Sequence, residues 1–397
     1  MTRDVLVDTV KNTLLDDKTR SVTLSKTISL STNEATNRMG RPKLSTKHLR
    51  VTAKDIAKAA GVSQATVSMA LRGSPEIGEK RIEQIRKLAE EMNYHPRAAA
   101  QLLRSRTSGQ MGIIVGASNA VQAFSTGFTG PLVGSLIDVY VGRGTRYVIE
   151  FHSHVDDEMW SKQPPPYQIS SGLVDGSIIV GDVGIGLSKM LGQGFPNYPR
   201  VSIDEPSAYC VLNDSRKGVA DVVEKFYKLG HTRLAYTCGP QRYLTHHEGL
   251  NGFVDTAKQL KLRVPEDRVL VIDTGFEGSA VFANETMKWA RKVLSEPNRP
   301  TGIICHDGTM ARAVIHAATE LGLKIPKDLS VTSWGWHLHA QEQFPALATV
   351  EFDFRAMVKS AVEMLDSLIQ GEEIANSKVV IPPKFIDGST VAGPPGG

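Results

Sequence analysis

The chain has 397 residues, of which 41% are hydrophobic and 22% charged, and its formal net charge is +4. This length allows two or three domains with substantial cores, and the sequence contains no apolar run approaching the ~20 residues that span a bilayer. Its first residues carry acids and no apolar stretch, so they do not indicate a secretory signal. Three scattered cysteines, Cys210, Cys238 and Cys305, indicate a reducing compartment rather than a disulfide framework. Together these features predict a cytoplasmic protein.

Residues 1–50 are polar, rich in serine and threonine, and weakly patterned, which predicts disorder. Met39 is an alternative start, because the basic segment after it leads directly into the next predicted helix. Gly40, Arg41 and Pro42 resemble the core of an AT-hook, in which an arginine enters a narrow A·T minor groove. The alternative is a solvated arm that contacts phosphates.

Three short helices are predicted after Val51. Thr52 can cap the first helix, and Gly61 suits its C-terminal end. Ser63 can cap the second helix, and the third carries one apolar stripe made of Ile82, Ile85, Leu88, Ala89 and Met92. This order predicts a helix-turn-helix unit whose second helix enters the DNA major groove.

Positive charge is concentrated on this segment. Residues 39–109 hold 14 lysines and arginines against 6 acids, a net charge of +8, so the remainder of the chain sums to −4. Such a distribution is typical of a surface that contacts DNA phosphates.

After residue 110 short apolar strands alternate with helical stretches. Met111–Gly116 and Gly176–Gly181 indicate buried strands, and a second set of alternating elements begins at Asp214. This alternation predicts parallel sheets covered by helices on both faces.

Several phrases of the sequence resemble the LacI/GalR family of bacterial transcription regulators. VTAKDIAKAAGVSQATVS is similar to the start of the family's helix-turn-helix, and NYHPRAAAQLL is similar to its hinge. KLGHTRLAYTCGP, GLKIPKDLSV and FPALATVEFD are similar to phrases of its core. The resemblance runs from Val51 to the C-terminus.

The resemblance implies an N-terminal all-α helix-turn-helix headpiece followed by an α/β periplasmic-binding-protein-like core of two Rossmann-like lobes. We expect a polar N-terminal extension at 1–50, a DNA-binding domain at 51–96, a hinge and linker at 97–109, and a core at 110–397. Within the core, one lobe is expected at about 110–206 with 354–370. The other is expected at about 210–350 with 379–388.

The resemblance also implies which residues contact DNA: Thr52, Ser63, Gln64, Ala65, Thr66, Ser68, Met69, Arg97, Ala100 and Leu103. Glutamine can bond adenine through two hydrogen bonds, and alanine or methionine can touch a thymine methyl. Leu103 corresponds to the family's wedge in the minor groove, although Leu102 beside it leaves an ambiguity of one residue. The alternatives are exposed helix residues and a linker leucine packed on the core.

An effector is expected in the cleft between the lobes, at the carboxyl ends of the strands. Residues near the expected cleft are Tyr243, Thr245, His306, Asp307, Trp334 and Trp336. Sugar- and purine-responsive relatives have an arginine where this chain has Gly249, and Gly335 stands where an acid is usual. Ligand contact and ordinary packing therefore both stay open for these six residues.

A rival hypothesis is a metal-dependent hydrolase. His152 and His154 with Asp156, and His337 with His339, place two imidazoles at alternate positions, as a zinc site could use. The run of His246, His247 and Glu248 allows the same interpretation. A third ligand at convincing spacing is missing from each group, so we expect no metal, no cofactor and no enzymatic activity.

The preferred interpretation is a homodimeric DNA-binding transcription regulator, a repressor, that binds a palindromic operator and is controlled by a small, sugar-like effector. A regulator of the same type without an effector is the alternative. A membrane partner is not expected.

Overall fold

The computed structural model describes residues 51–71, 73–92, 94, 107–117, 120–125, 127–152, 163–181, 184–273, 279–335 and 345–395. The chain divides into two compact units, Met1–Gln101 and Leu102–Gly397. Each unit is described by itself below.

Within its described residues the first unit has three helices, as predicted: α1 (Ala53–Ala60), α2 (Gln64–Leu71) and α3 (Glu79–Glu91). Gly61 ends α1 with φ of 64°, in the left-handed region that glycine adopts without a steric penalty. One small core joins the helices, built on Ile56, Val67 and Ile85, none of which is exposed to solvent. Helices as short as α1 and α2 are marginal in isolation, so their packing in this shared core stabilises both.

The second unit alternates strands with helices. Its first half has β1 (Gln110–Gly116), α4 (Ala120–Ser125), α5 (Thr129–Gly142), β2 (Arg146–His152), α6 (Tyr167–Ser170), β3 (Gly176–Gly181), α7 (Gly184–Gly194), β4 (Arg200–Ile203) and β5 (Cys210–Asn213). Its second half has α8 (Ser215–Lys228), β6 (Leu234–Cys238), α9 (Leu244–Gln259), β7 (Val269–Val271), α10 (Ser279–Leu294), β8 (Gly302–Cys305), α11 (Gly308–Glu320), β9 (Ser330–Gly335), β10 (Ala348–Glu351), α12 (Phe354–Gln370), β11 (Lys378–Ile381) and β12 (Lys384–Ile386).

The strands form two six-stranded sheets, in the orders β11-β5-β4-β3-β1-β2 and β12-β10-β9-β8-β6-β7. Among the described strands all pairings are parallel except that of β12 with β10. The chain passes between the sheets after β5, again between β10 and α12, and a third time between β11 and β12. These three crossings confirm the predicted two-lobed core.

Two strands belong to a different lobe from the one expected. The sequence suggested that the second lobe begins near 210 and includes 379–388. In the structure β5 pairs with β4, and β11 pairs with β5, so both strands extend the first sheet. Only β12 of the C-terminal pair joins the second sheet. The reason is the parallel register of Val379 with Val211, a pairing that the sequence of either strand alone does not reveal.

The interiors of the lobes are apolar. Ile113, Ile178 and Val201 are buried on the first sheet, and Ile303 and Val331 are buried on the second, where Val314 of α11 belongs to the same core. In the described part of the chain, we find no helix long and apolar enough to cross a bilayer.

Candidate DNA-binding surface and effector cleft

The start of α1 is fixed by a reciprocal pair of hydrogen bonds. The Thr52 hydroxyl accepts from the Asp55 amide at 3.4 Å, and the Asp55 carboxylate accepts from the Thr52 amide at 2.8 Å. The Thr52 hydroxyl also donates to this carboxylate at 2.6 Å. These bonds lower the pKa of Asp55. The capping box fixes where α1 begins, and therefore where the turn delivers α2.

The exposed side of α2 is left to small and uncharged side chains. Val67 and Ala70 are buried against the other helices, whereas Gln64 and Ala65 are exposed and Met69 is half-buried. The Ser63 hydroxyl accepts from the Thr66 amide at 3.0 Å and lies 2.9 Å from the Thr66 hydroxyl. Ser63 therefore caps α2, and Gln64 and Ala65 stand on its first turn.

The structure places the predicted headpiece contacts on one small unit. Thr52 and Ser63 open the two helices of the turn, and Gln64, Ala65, Thr66, Ser68 and Met69 lie on α2. Arg97, Ala100 and Leu103 lie outside the described residues, and so does the choice between Leu102 and Leu103. The role of each of these residues toward DNA stays a prediction.

The chain enters the core through a carboxylate clamp that sequence reasoning missed. Asp175 accepts hydrogen bonds from the amides of Ser108, at 2.5 Å, and Gly109, at 2.7 Å. The Asp175 amide in turn donates to the Gln110 carbonyl at 2.9 Å. Because Gln110 begins β1, these bonds fix the end of the linker to the turn before β3.

A chain of polar side chains crosses from the first sheet to the second. The Asn213 amide group donates to the Ser215 hydroxyl at 2.9 Å, and Ser215 Oγ lies 2.7 Å from Thr245 Oγ1. Thr245 Oγ1 lies 3.2 Å from His306 Nε2, and His306 Nδ1 lies 2.7 Å from the Tyr236 hydroxyl. We call these five residues the polar relay.

Both ring nitrogens of His306 are occupied within the relay. Its ring stacks on Trp334 with centroids 4.5 Å apart and lies 4.8 Å from the ring of His246. Burial lowers the pKa of His306 well below its ordinary value, and the nearby His246 lowers it further. Burial also lowers the pKa of His246 to about 4. The two imidazoles are therefore neutral at physiological pH, and the buried His306 packs like an aromatic core residue.

Trp334 lies where the three crossings between the sheets come together. Its ring contacts Phe352, which follows β10, with centroids 5.8 Å apart. A Cβ atom placed on Gly218, in the first turns of α8, would lie 2.6 Å from Trp334 Cη2 and 2.5 Å from Pro383 Cγ, between β11 and β12. Trp334 is 5% exposed. Its position makes it a structural support of the interlobe region.

Gly249 leaves the space that these rings occupy. A Cβ atom at Gly249 would lie 2.5 Å from His306 Cε1 and 2.6 Å from the Tyr236 hydroxyl. A side chain of any size at this position is therefore incompatible with the relay as it stands. The arginine that the family resemblance led us to expect at this position would therefore not fit beside these rings.

The other expected effector contacts are partly engaged within the protein. The Asp307 carboxylate caps α11 by accepting from the amides of Thr309, at 2.6 Å, and Met310, at 3.2 Å. Arg242 lies over the ring of Tyr243 at 4.6 Å and donates to its hydroxyl. Trp336 lies outside the described residues. Effector contact by these residues stays a prediction.

The histidine pairs gain no support as a metal site. Among the residues that the structure describes, no group of three candidate metal ligands occurs, and His152, His246, His247 and Glu248 therefore belong to none. His154, Asp156, His337 and His339 lie outside the described residues.

Sequence reasoning missed most of the relay. Asn213 and Ser215 stand far from Tyr236 in the chain, and the three belong to no common motif. A usable signal was the position of two of them, since Asn213 ends β5 and Ser215 follows it closely, and polar residues at the carboxyl ends of parallel strands often line a cleft.

A helix-turn-helix unit in front of a two-lobed α/β core defines a class: DNA-binding regulators built on a periplasmic-binding-protein scaffold. Residues 52–97 match the model of the bacterial regulatory proteins of the lacI family, and residues 223–391 match that of the periplasmic binding protein-like domain. The chain belongs to the LacI/GalR family, as its motifs predicted, and is a DNA-binding transcription regulator.

Relatives match along most of their length. The HTH-type transcriptional repressor PurR of Vibrio vulnificus is 27% identical over 348 residues, which cover 86% of this chain and 98% of that protein. The probable HTH-type transcriptional repressor ExuR of Bacillus subtilis is 26% identical over 349 residues, covering 85% and 97%. Neither match concerns a hydrolase.

Solved structures share the fold. The Lac repressor dimer bound to operator and the anti-inducer ONPF aligns with a TM-score of 0.73 at 22% identity, covering 87% of this chain and all of that one. The complex of the transcriptional regulator CelR with cellobiose aligns with a TM-score of 0.60 at 18% identity, covering 86% and 100%.

Proposed function

We propose that the protein is a transcriptional repressor that binds a palindromic operator as a homodimer. The observation that carries this proposal is the capped α1–α2 pair, which presents Gln64 and Ala65 on the first turn of an exposed helix. Two such units in a symmetric dimer would contact two half-sites. A DNA target and three free, buried cysteines support a cytoplasmic location.

The hinge adds a second contact in this proposal. Residues 97–104 would pair with those of the second copy on the operator, and Leu103 would enter the central minor groove. Unstacking a base step costs a few kcal/mol, which the added contacts offset. Leu103→Ala should reduce operator bending, whereas a loss confined to Leu102→Ala would place the wedge one residue earlier.

The test of the main proposal is selection from random duplex DNA by the purified full-length protein. The proposal expects enrichment of a two-fold symmetric site, bound far more tightly than random DNA of equal length. Binding without any sequence preference would contradict it. Mapping the bound sites along the genome would then identify the regulated genes.

The proposal places a small effector in the interlobe cleft, where the carboxyl ends of β6, β8 and β9 meet. The transcriptional regulator CelR, which has the same fold, forms a complex with cellobiose. Aromatic side chains such as Tyr243 would pack against a sugar ring. Binding would change lobe closure and so shift the protein between two DNA affinities.

An effector-independent repressor is the second candidate, and one observation favours it. The rings of His306 and Trp334 stack where the strand ends converge, and Gly249 leaves no space for a ligand-binding side chain. The two candidates differ in operator affinity measured with and without a panel of sugars and purines. A compound that changes both the affinity and the thermal midpoint supports the first, and the absence of any response supports the second.

A further inference from the structure

The helix that faces the major groove carries no charge. The eight residues of α2 are QATVSMAL, with neither a basic nor an acidic side chain. The cations that the structure describes in this unit lie on the neighbouring helices and are exposed there: Lys54 and Lys58 on α1, and Lys80, Arg81, Arg86 and Lys87 on α3. In a helix-turn-helix the first helix crosses the DNA backbone. These cations are therefore suited to phosphates rather than to base edges.

Gln64, Ala65 and Met69 on α2 each match one kind of base edge. Gln64 is exposed, and its amide has no hydrogen-bond partner among the described residues, so it is free to bond. Ala65 presents a methyl group on the same turn, and Met69 lies about one turn further along. Guanine is most often recognised by arginine or lysine through O6 and N7, whereas glutamine pairs with adenine N6 and N7, and apolar groups contact the thymine methyl.

We propose that the base pairs facing α2 in each half-site are A·T pairs, read by Gln64 at adenine and by Ala65 and Met69 at thymine methyls. This inference rests on the proposed function. It concerns the major-groove positions alone. The hydroxyls of Ser63 and Thr66 are directed toward each other and take no part in the base reading.

The first experiment removes one atom group from the DNA at a time. In the selected site, replacing a thymine that faces α2 by uracil deletes its methyl group. Wild-type affinity should fall about fourfold for each contacted methyl group that is deleted. Met69→Ala and Ala65→Gly should each weaken binding to the thymine-containing site. For each variant, uracil at the one position that the lost group contacted should no longer change the affinity. Circular dichroism spectra of both variants should match that of the wild type, which would show that the helices still form.

The second experiment tests the amide in the same way. Replacing the facing adenine by 7-deazaadenine removes its N7 acceptor and should weaken wild-type binding about tenfold. Gln64→Ala should bind the two sites equally. Gln84 is exposed on α3, so Gln84→Ala is the matched control, and its affinity should fall after 7-deazaadenine replacement as that of the wild type does.

The third experiment is a gain of function. Met69→Arg adds a guanidinium on the groove side of α2, so selection with this variant should enrich guanine at one position of each half-site. The new preference should be about tenfold over the original base. Because this readout rewards binding, an unfolded variant cannot imitate it.

The outcomes separate the inference from the proposed function. Selection of no site at all would overturn the proposed function. Selection of a symmetric site with G·C pairs facing α2, or an unchanged affinity after uracil replacement at every facing thymine, would overturn this inference alone.

Discussion

At the scale of single residues, Gly249 tests how tightly the relay is packed. Gly249→Ala places a methyl group 2.5 Å from His306 Cε1, so the rings must move or the helix must shift. We expect the core to lose about 1–3 kcal/mol of stability. Denaturant unfolding followed by tryptophan fluorescence measures this, because all four tryptophans lie in the second unit.

Gly134→Ala is the matched control. Gly134 also lies inside a helix, α5, and a Cβ atom there meets nothing within 4 Å. Because alanine favours a helix over glycine, this variant should keep its stability or gain up to about 1 kcal/mol. Equal stability of the Gly249→Ala and Gly134→Ala variants would show that the packing of the relay does not require a glycine at position 249.

Two titratable groups, His246 and Asp204, also make stability depend on pH. His246 has a pKa of about 4 in the folded protein, below its ordinary value of 6.5. Between these values the unfolded chain binds more protons than the folded protein, so stability falls as the pH drops through this window. Asp204 acts oppositely, because burial raises its pKa to about 7 from 3.8, and its contribution to stability falls as the pH rises.

Two variants separate these opposing contributions. The wild-type protein should lose stability between about pH 7 and pH 5 as His246 is protonated on unfolding. His246→Asn should reduce this loss of unfolding free energy by roughly 1–3 kcal/mol. Asp204→Asn should make the wild-type loss at acid pH larger. Measured pH profiles that match the wild type in both variants would contradict this assignment of the two groups.

At the scale of elements, the Asp175 clamp holds the end of the linker. Asp175→Ala removes the acceptor for two amides, so hydrogen exchange at Ser108 and Gly109 should become faster by about tenfold or more. The core strands should exchange as before. Asp138→Ala, an exposed acid on α5, is the control and should leave both amides protected. Unchanged exchange after Asp175→Ala would mean that other contacts hold the linker.

Elements were predictable where the information is local. The caps at Thr52 and Ser63 and the stop at Gly61 are short-range signals, and they predicted α1 and α2 closely. The strand β11 was given to the wrong lobe because its pairing with β5 joins residues more than 160 positions apart. The strand β5 was misplaced although its pairing with β4 is local, because the sequence does not show which of the two sheets β5 extends. Tyr236 escaped prediction as a member of the polar relay for the same reason as β11, since it lies 70 positions before His306 in the chain and the two meet only in the folded protein.

At the scale of the whole molecule, uneven charge predicts a strong salt effect. Residues 39–109 carry +8 while the remaining residues sum to −4. The logarithm of the affinity for DNA should fall by about 0.9 per phosphate neutralised for each tenfold rise in salt. Between about 50 and 200 mM salt, a loss of about a thousandfold or more is expected for six or more contacts. Filter binding at several salt concentrations gives the slope.

Two variants check the origin of this slope. If Lys58 contacts the DNA backbone, Lys58→Ala should lower the number of neutralised phosphates, calculated from the slope, by about one. Gln64→Ala should weaken specific binding and keep the slope, because its amide carries no charge. A flat response of the wild type would contradict phosphate-driven binding altogether.

The absence of charge on α2 also affects how the DNA specificity of this regulator can evolve. Methionine is encoded by ATG alone, and one base change in its middle position gives a codon for lysine or arginine. Because Met69 is only half-buried, such a change spares the headpiece core while it alters the groove side of α2. After gene duplication, one copy of this regulator could therefore acquire a new set of target genes in a single mutational step, while the other copy retains the old set.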